Sequence, residues 1–193
     1  MNEIYLKDTD IIVLPTDTVY GIGCKMQAQS TLKRLFEIKK RPFEKAIPVL
    51  VSSVCQATEF ALFSEKELKL ANAFWPGALT LVLKTKPEYV GLLGETVAVR
   101  TPSHKTTLKI IEKNGPLRIT SCNISGEKPL NDPLEIEKTF LDKVQYYVFD
   151  SVESHFSNLP STIVKITESQ VNLLRQGAIS EEKILKVLNS SNG

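Results

Sequence analysis

The sequence predicts a single α/β domain with a twisted, mixed sheet, and three observations lead there. Apolar runs of strand length alternate with helical patterns along the chain. No Gly/Ser/Pro-rich linker divides it, and 193 residues suit one domain better than two. The domain is expected to span 1–193 with its core at about 4–188, and the tail Asn189–Gly193 is expected to fray.

Taken in order, Asp10–Pro15 reads as a buried strand that ends at a Pro-Thr-Asp-Thr turn. Ser30–Lys40 reads as an amphipathic helix, with a polar cap and apolar Leu32, Leu35 and Phe36 on one side. Ala46–Val51 is a second strand. Ser64 and Glu67 stand at capping-box spacing and open a helix through Leu68, Ala71 and Phe74. Trp75-Pro76-Gly77 stops it and leads into a strand at Leu79–Leu83. Thr96–Arg100 and Leu117–Ser121 are strands separated by a helix at Lys105–Lys113. Glu135–Leu141 reads as a helix. Gln145–Asp150, Thr162–Ile166 and Val171–Leu174 read as strands, and Ser180–Leu188 as a closing helix. The chain contains no internal repeat and no low-complexity tract.

Composition narrows the function. With 42% hydrophobic and 24% charged residues the chain is globular, outside the regime of disorder. No apolar run reaches the roughly 18 residues that cross a bilayer, and the N-terminus carries acids instead of a signal-peptide core. Three widely spaced cysteines without a CxxC pair argue against a disulfide framework or a zinc site and for a reducing compartment. A soluble cytoplasmic protein is therefore expected. A net charge of +2 does not by itself imply nucleic-acid binding. Lysine is the default cation, and arginine occurs only at Arg34, Arg41, Arg100, Arg118 and Arg175. Each marks either a place that needs a planar, permanently charged fork or a solvated face. Arg41, Arg100 and Arg175 gain weight because they lie inside polar motifs.

Four polar segments lie at the ends of expected strands, where α/β folds place ligands. Pro15–Gly23 (PTDTVYGIG) combines hydroxyls, a carboxylate and glycines; it suits a small polar ligand or an ordinary strand-to-helix turn. Lys39-Lys40-Arg41-Pro42, followed by Lys45, could hold a polyphosphate or cap a helix C-terminus. The absence of GxxxxGK[ST] means that any nucleotide is not held by a P-loop. Along Thr96–Arg100, alternation aims Thr96, Ala98 and Arg100 to one face, where Arg100 needs a ligand anion or a structural carboxylate. Thr120–Gly126 is a string of short hydrogen-bonding side chains that can read an amino acid or a ribose. His104 and His155 have no partner at metal spacing. Cys122 has no motif histidine beside it and reads as a packing residue. No GxSxG elbow or HExxH helix occurs, which favours catalysis by positioning and charge stabilisation.

The segments PTDTVYGIG, KKRP, WPGALTLVL, TVAVRTP, SCNISG, PSTIV and LLRQGAI, in this order from about Ile11 to Ile179, resemble the YrdC/TsaC family of threonylcarbamoyl-AMP synthases. The length is similar to the short, single-domain form. The resemblance implies that L-threonine, bicarbonate and ATP give threonylcarbamoyl-AMP and pyrophosphate. Separate tRNA threonylcarbamoyl-transferase proteins then modify an adenosine beside the anticodon. It implies a concave, basic cleft, no membrane, and magnesium carried on ATP rather than held by a protein metal site.

By the same resemblance Thr18, Arg100, Ser121 and Ser161 serve threonine. Lys39, Arg41, Lys45, Thr96, Asn123, Asn131 and Arg175 serve ATP, with Lys39 and Arg41 as the catalytic pair at the phosphates. Either a carbamate attacks the α-phosphorus or the route runs through a carboxyphosphate. Asn131 stands where a nucleotide-contacting hydroxyl is usual, and Leu50 where some members carry a histidine. A second reading is a non-catalytic RNA- or nucleotide-binding member of the fold, binding through the basic cleft. A third, a carbamoyl-transfer domain as in hydrogenase-maturation proteins, lacks its accompanying zinc-finger cysteines.

Overall fold

In a strand, successive side chains point to opposite faces, so each apolar run that read as a strand offers one face to the core and one to something else. The computed structural model describes residues 3–149, 159–167 and 170–190. Its elements are β1 (Ile12–Leu14), β2 (Gly21–Lys25), α1 (Gln29–Ile38), β3 (Val49–Leu50), α2 (Val54–Thr58), β4 (Ala61–Leu62), α3 (Glu65–Phe74) and β5 (Leu79–Thr85). A 3-10 turn at Pro87–Tyr89 leads to α4 (Val90–Leu93), β6 (Thr96–Arg100), α5 (Lys105–Asn114), β7 (Leu117–Ser121), α6 (Pro133–Phe140) and β8 (Tyr146–Tyr147). β9 (Thr162–Ile166), β10 (Val171–Arg175) and α7 (Glu181–Asn189) complete the described chain.

The strands form one mixed sheet in the order β10-β9-β5-β6-β3-β7-β2-β1-β8, with β4 alongside the far end of β5. β9 runs parallel to β5, β3 to β6 and β8 to β1, and the other pairs are antiparallel. This is the expected α/β architecture of one domain. On one face Leu79, Leu81 and Leu83 join Val97, Val99 and Val164 and bury against Leu70 and Ala71 of α3 and Ile184 of α7. At the other end of the sheet Ile11, Val13, Ile22 and Cys24 pack with Leu32, Leu35 and Phe36 of α1 and Ile136 and Phe140 of α6. The opposite face is covered at Leu14, Leu117 and Ile119 by Ile110 and Ile111 of α5.

β6, β7 and β9 have the expected limits, and the capping box at Ser64 and Glu67 is present, with Ser64 Oγ accepting from the Glu67 amide. The β3 strand shrinks from the expected Ala46–Val51 to two residues. β8 keeps only Tyr146–Tyr147 of the expected strand, whose last residue, Asp150, lies outside the described residues, as does His155. The glycines after PTDT do not form a loop: Gly21 and Gly23 sit inside β2, paired with Ser121 and Ile119. A Cβ on Gly23 would collide with the Arg118 carbonyl, so close strand approach requires glycine there. The short α2 and β4 had no sequence signal.

Candidate active site

The sheet face opposite Leu81 and Val99 carries the functional side chains. Register places Thr80 of β5 beside Ile163 of β9, and Leu50 of β3 beside Arg100 of β6. Above this row lies a cavity of about 300 Å³, at the lower end of the range of about 300–1,000 Å³ usual for ligand sites. Thr18, Arg41, Arg100, Ser121, Asn123, Ser161 and Arg175 line it, so seven of the eleven expected site residues converge. Leu50, Ile119 and Ile163 add an apolar floor, and Thr16, Thr80 and Glu127 add polar groups. Of these, Thr16 and Thr80 lie inside motifs already singled out by sequence. Of the floor, Leu50 stands where some family members carry a histidine and Ile163 lies inside PSTIV, whereas Ile119 had no signal, because an aliphatic residue in a strand looks the same under a helix or under a ligand.

Each arginine at the cavity is aimed by a different device. Arg100 is almost fully buried at the end of β6. Its Nη2 pairs with Asp17 Oδ1 at 2.6 Å, Nη1 donates to Thr18 Oγ1 at 3.0 Å, and Nε donates to the Gly77 carbonyl at 2.9 Å. Asp17 also accepts from the Ser103 amide, which ties the PTDT turn to the segment after β6. The partner that Arg100 needed is thus the structural carboxylate, with two of its five N–H groups left for a ligand. Arg41 is half-exposed and follows a helix end closed by Lys40 at φ 50°. The Lys40 amide donates to the Glu37 carbonyl and the Arg41 amide to that of Phe36, the paired bonds of a Schellman end. This turn throws Arg41 across the cavity mouth, where Nε and Nη2 donate to the carbonyls of Lys45 and Ala46 and three N–H groups stay available. Arg175, at the end of the edge strand β10, binds the Ser161 carbonyl through Nε and Nη2 and Ser161 Oγ through Nη2. Thr80 Oγ1 completes this corner, 2.8 Å from Ser161 Oγ.

Burial lowers the pKa of all three guanidiniums, and the positive charge of Arg100 lowers that of Arg175 further. Arginine stays protonated regardless, so two neighbouring cations with unfilled donors share one partly desolvated space. An anion placed there relieves the repulsion and fills the donors. The other arginines are structural: Arg34 caps the Thr9 carbonyl and Gln145, and Arg118 binds the carbonyls of Met26 and Leu92. Of the five arginines, Arg41, Arg100 and Arg175 are thus the three that line the cavity.

Four expected residues lie outside the cavity wall. Lys39 is only 1% exposed, and its ammonium donates to the carbonyls of Ser121 and Asn123 at 2.6 and 2.5 Å. The helical spacing that brings Leu35 and Phe36 inward brings Lys39 with them. Lys45 is exposed and offers its carbonyl to Arg41. Thr96 shares a face with Arg100 as alternation required, but it stands at the opposite end of β6, in a second groove with Lys84 and Lys165. Asn131 sits beside Asp132, the N-cap of α6, and does not reach the cavity wall. Cys122 is buried and its thiol is pushed up to about 12 by desolvation, as suits a packing residue. Among the described residues no three His, Cys, Asp or Glu side chains cluster as metal ligands, and no helix is long and apolar enough to cross a membrane.

Fold and site together define an α/β protein whose sheet face gathers three guanidiniums and several hydroxyls around one cavity. The chain belongs to the Sua5/YciO/YrdC family, whose model, described as telomere recombination, matches residues 5–177. It is 33% identical to the threonylcarbamoyl-AMP synthase of Pyrococcus abyssi over 95% of this chain and 55% of that protein. Against a putative threonylcarbamoyl-AMP synthase of Mycobacterium tuberculosis it is 35% identical over 95% of this chain and 85% of the relative. The crystal structure of P. abyssi Sua5 complexed with L-threonine superposes with a TM-score of 0.85 at 34% identity, covering 94% of this chain and 54% of that one. The chain thus spans about half the length of the P. abyssi protein. E. coli YciO, at 22% identity and a TM-score of 0.81 over 91% of this chain and 87% of its own, shares the fold.

Proposed function

We propose that this chain is an L-threonylcarbamoyladenylate synthase, a nucleotidyltransferase that joins L-threonine, bicarbonate and ATP into threonylcarbamoyl-AMP, releasing pyrophosphate and water. The observation that carries the reading is the trio of guanidiniums around a cavity floored by Leu50, Ile119 and Ile163. The carboxylate of a zwitterionic amino acid and a polyphosphate are anionic groups such a site can hold side by side. The synthase names of relatives that align with 95% of this chain point the same way.

In this reading Arg100, Thr18, Ser121 and Ser161 surround the threonine, the guanidinium meeting its carboxylate and the hydroxyls its side chain and amine. The unprotonated amine takes up bicarbonate with loss of water, giving a carbamate. A carbamate oxygen attacks the α-phosphorus of ATP, the bond to the bridging oxygen breaks, and pyrophosphate leaves with the electron pair. Arg41 and Arg175 neutralise charge as it builds on the phosphates, while Asn123 holds the nucleoside side. Such a displacement needs alignment and charge neutralisation and no nucleophilic side chain. Magnesium bound to the ATP phosphates supplies further neutralisation, and Glu127 is the carboxylate on the cavity wall able to face it. We place the protein in the cytoplasm, passing its adenylate to proteins that modify tRNA. The test is mass spectrometry of a reaction with labelled bicarbonate: the reading requires an AMP adduct carrying threonine and one labelled carbon. A folded protein that binds ATP yet yields no adduct would move the assignment to a nucleotide- or RNA-binding member of the fold.

A further inference from the structure

Among the described residues Lys39 is the most buried of the charged side chains, and its ammonium is not part of the cavity wall. Its three protons face the Ser121 carbonyl, the Asn123 carbonyl and, at 3.4 Å, Asn123 Oδ1. The Lys39 backbone carbonyl accepts from the Ser125 amide at 2.8 Å, so one residue grips the same turn twice. The turn is braced internally, with Ser121 Oγ donating to Asn123 Oδ1 and Asn123 Nδ2 donating to the carbonyls of Ile124 and Glu127. Two residues further on, Arg41 leaves the same helix end for the cavity. One helix terminus therefore sets both the guanidinium and the turn that carries Ser121 and Asn123.

We propose that Lys39 is a positioning residue that holds the Ser121–Asn123 turn in its binding conformation and does not itself touch the phosphates. The proposal rests on the synthase reading for the identity of the ligands. It differs in consequence from a phosphate contact, because Ser121 and Asn123 serve both sides of the cavity. Loss of a phosphate ligand weakens ATP far more than AMP and spares threonine. Loss of the turn weakens all three together.

The test compares wild type with Lys39→Met and Lys39→Gln by calorimetric titration with ATP, AMP and L-threonine, after circular dichroism has established folding. The expected result is a fall of at least about tenfold for each ligand in Lys39→Met, a ratio of ATP to AMP affinity within about twofold of wild type, and partial recovery in Lys39→Gln, which keeps two donors. A selective loss of ATP with threonine binding intact would overturn the proposal. Should Lys39→Met fail to fold, the wild type decides. The groups facing the ammonium are Cys122 on the turn and Arg41 beyond the helix end, and both titrate well above the range used. Burial lowers the Lys39 pKa to about 8, so AMP affinity should fall several-fold between pH 7 and pH 9.5 as the third donor is lost. AMP affinity unchanged across that range would also overturn it. A wild-type protein that binds neither AMP nor threonine would instead contradict the synthase reading, and an intact turn in Lys39→Met by amide hydrogen exchange would then remove the positioning role as well.

Discussion

Arg100 and Arg41 bound the same cavity, yet one is part of the frame and the other part of the working surface. Arg100 is 6% exposed, locked by Asp17, Thr18 and Gly77, and joins three separate segments of the chain. Arg41 is half-exposed, holds only carbonyls of its own loop and keeps three N–H groups open. The difference teaches that a site can need charge for two purposes. A buried, fully oriented cation pre-shapes the pocket, while a loosely held one responds to charge that develops on the ligand.

The largest effect is expected at Arg100. Arg100→Ala strands the Asp17 carboxylate in a site with little solvent, and breaking one side of a buried pair costs about 3–5 kcal/mol. Chemical denaturation should therefore show a heavily destabilised protein, and threonine binding should be lost with it. Arg41→Ala should separate the two roles: stability within about 1 kcal/mol of wild type, since only exposed carbonyl bonds are lost, and pyrophosphate release down by about 100-fold or more. Comparable losses of stability in both variants would erase the distinction between frame and surface.

The distinction was legible in part from the sequence. Membership of TVAVR and KKRP set these two arginines, with Arg175 of LLRQG, apart from the other two, and strict alternation in Thr96–Arg100 gave the face on which Arg100 lies. What alternation could not supply was the partner, because Asp17 meets Arg100 only after the PTDT turn folds back across more than eighty residues of chain. For the same reason Lys39 read as one cation in a cluster: a sequence shows charge, and only packing shows that Leu35 and Phe36 draw it beneath the Ser121–Asn123 turn. Gly21 and Gly23 belong to a segment that suits a small polar ligand or an ordinary turn; they lie inside β2, where Gly21 lines the cavity and the Arg118 carbonyl excludes any Cβ at Gly23. The two-residue strand β4 is held by its neighbour and carries no pattern of its own, while β3 shows a pattern longer than the strand that forms.

Lys39 sharpens the comparison through pH. Its pKa in the folded protein, about 8, lies below the unfolded value near 10.5 because burial disfavours the charge. Below about pH 8 both states hold the proton and the cost of the buried charge is fully present. Between about pH 8 and 10.5 the unfolded chain holds more protons than the folded one, so this residue makes stability rise with pH, by up to about 1.4 kcal/mol per unit. The difference between wild type and Lys39→Met in urea unfolding should grow in favour of wild type over that window, while ligand affinity falls. A difference that is flat with pH would mean that Lys39 is less buried than its 1% exposure indicates.

The smallest effect is expected at Ser161. Ser161→Ala removes the hydroxyl shared by Thr80 and Arg175 but leaves the carbonyl that carries two of the Arg175 bonds. Stability should drop by about 1 kcal/mol. Threonine affinity should weaken by no more than about tenfold, with ATP affinity close to wild type. A larger loss for ATP than for threonine would place Ser161 on the nucleotide side of the cavity.

The central claim is tested most directly by pyrophosphate release from ATP by the purified protein, with L-threonine and bicarbonate each present or omitted. The account predicts release only when both are present, abolished or nearly so in Arg41→Ala. Release without threonine, or none at all from a folded protein with all substrates supplied, would contradict it.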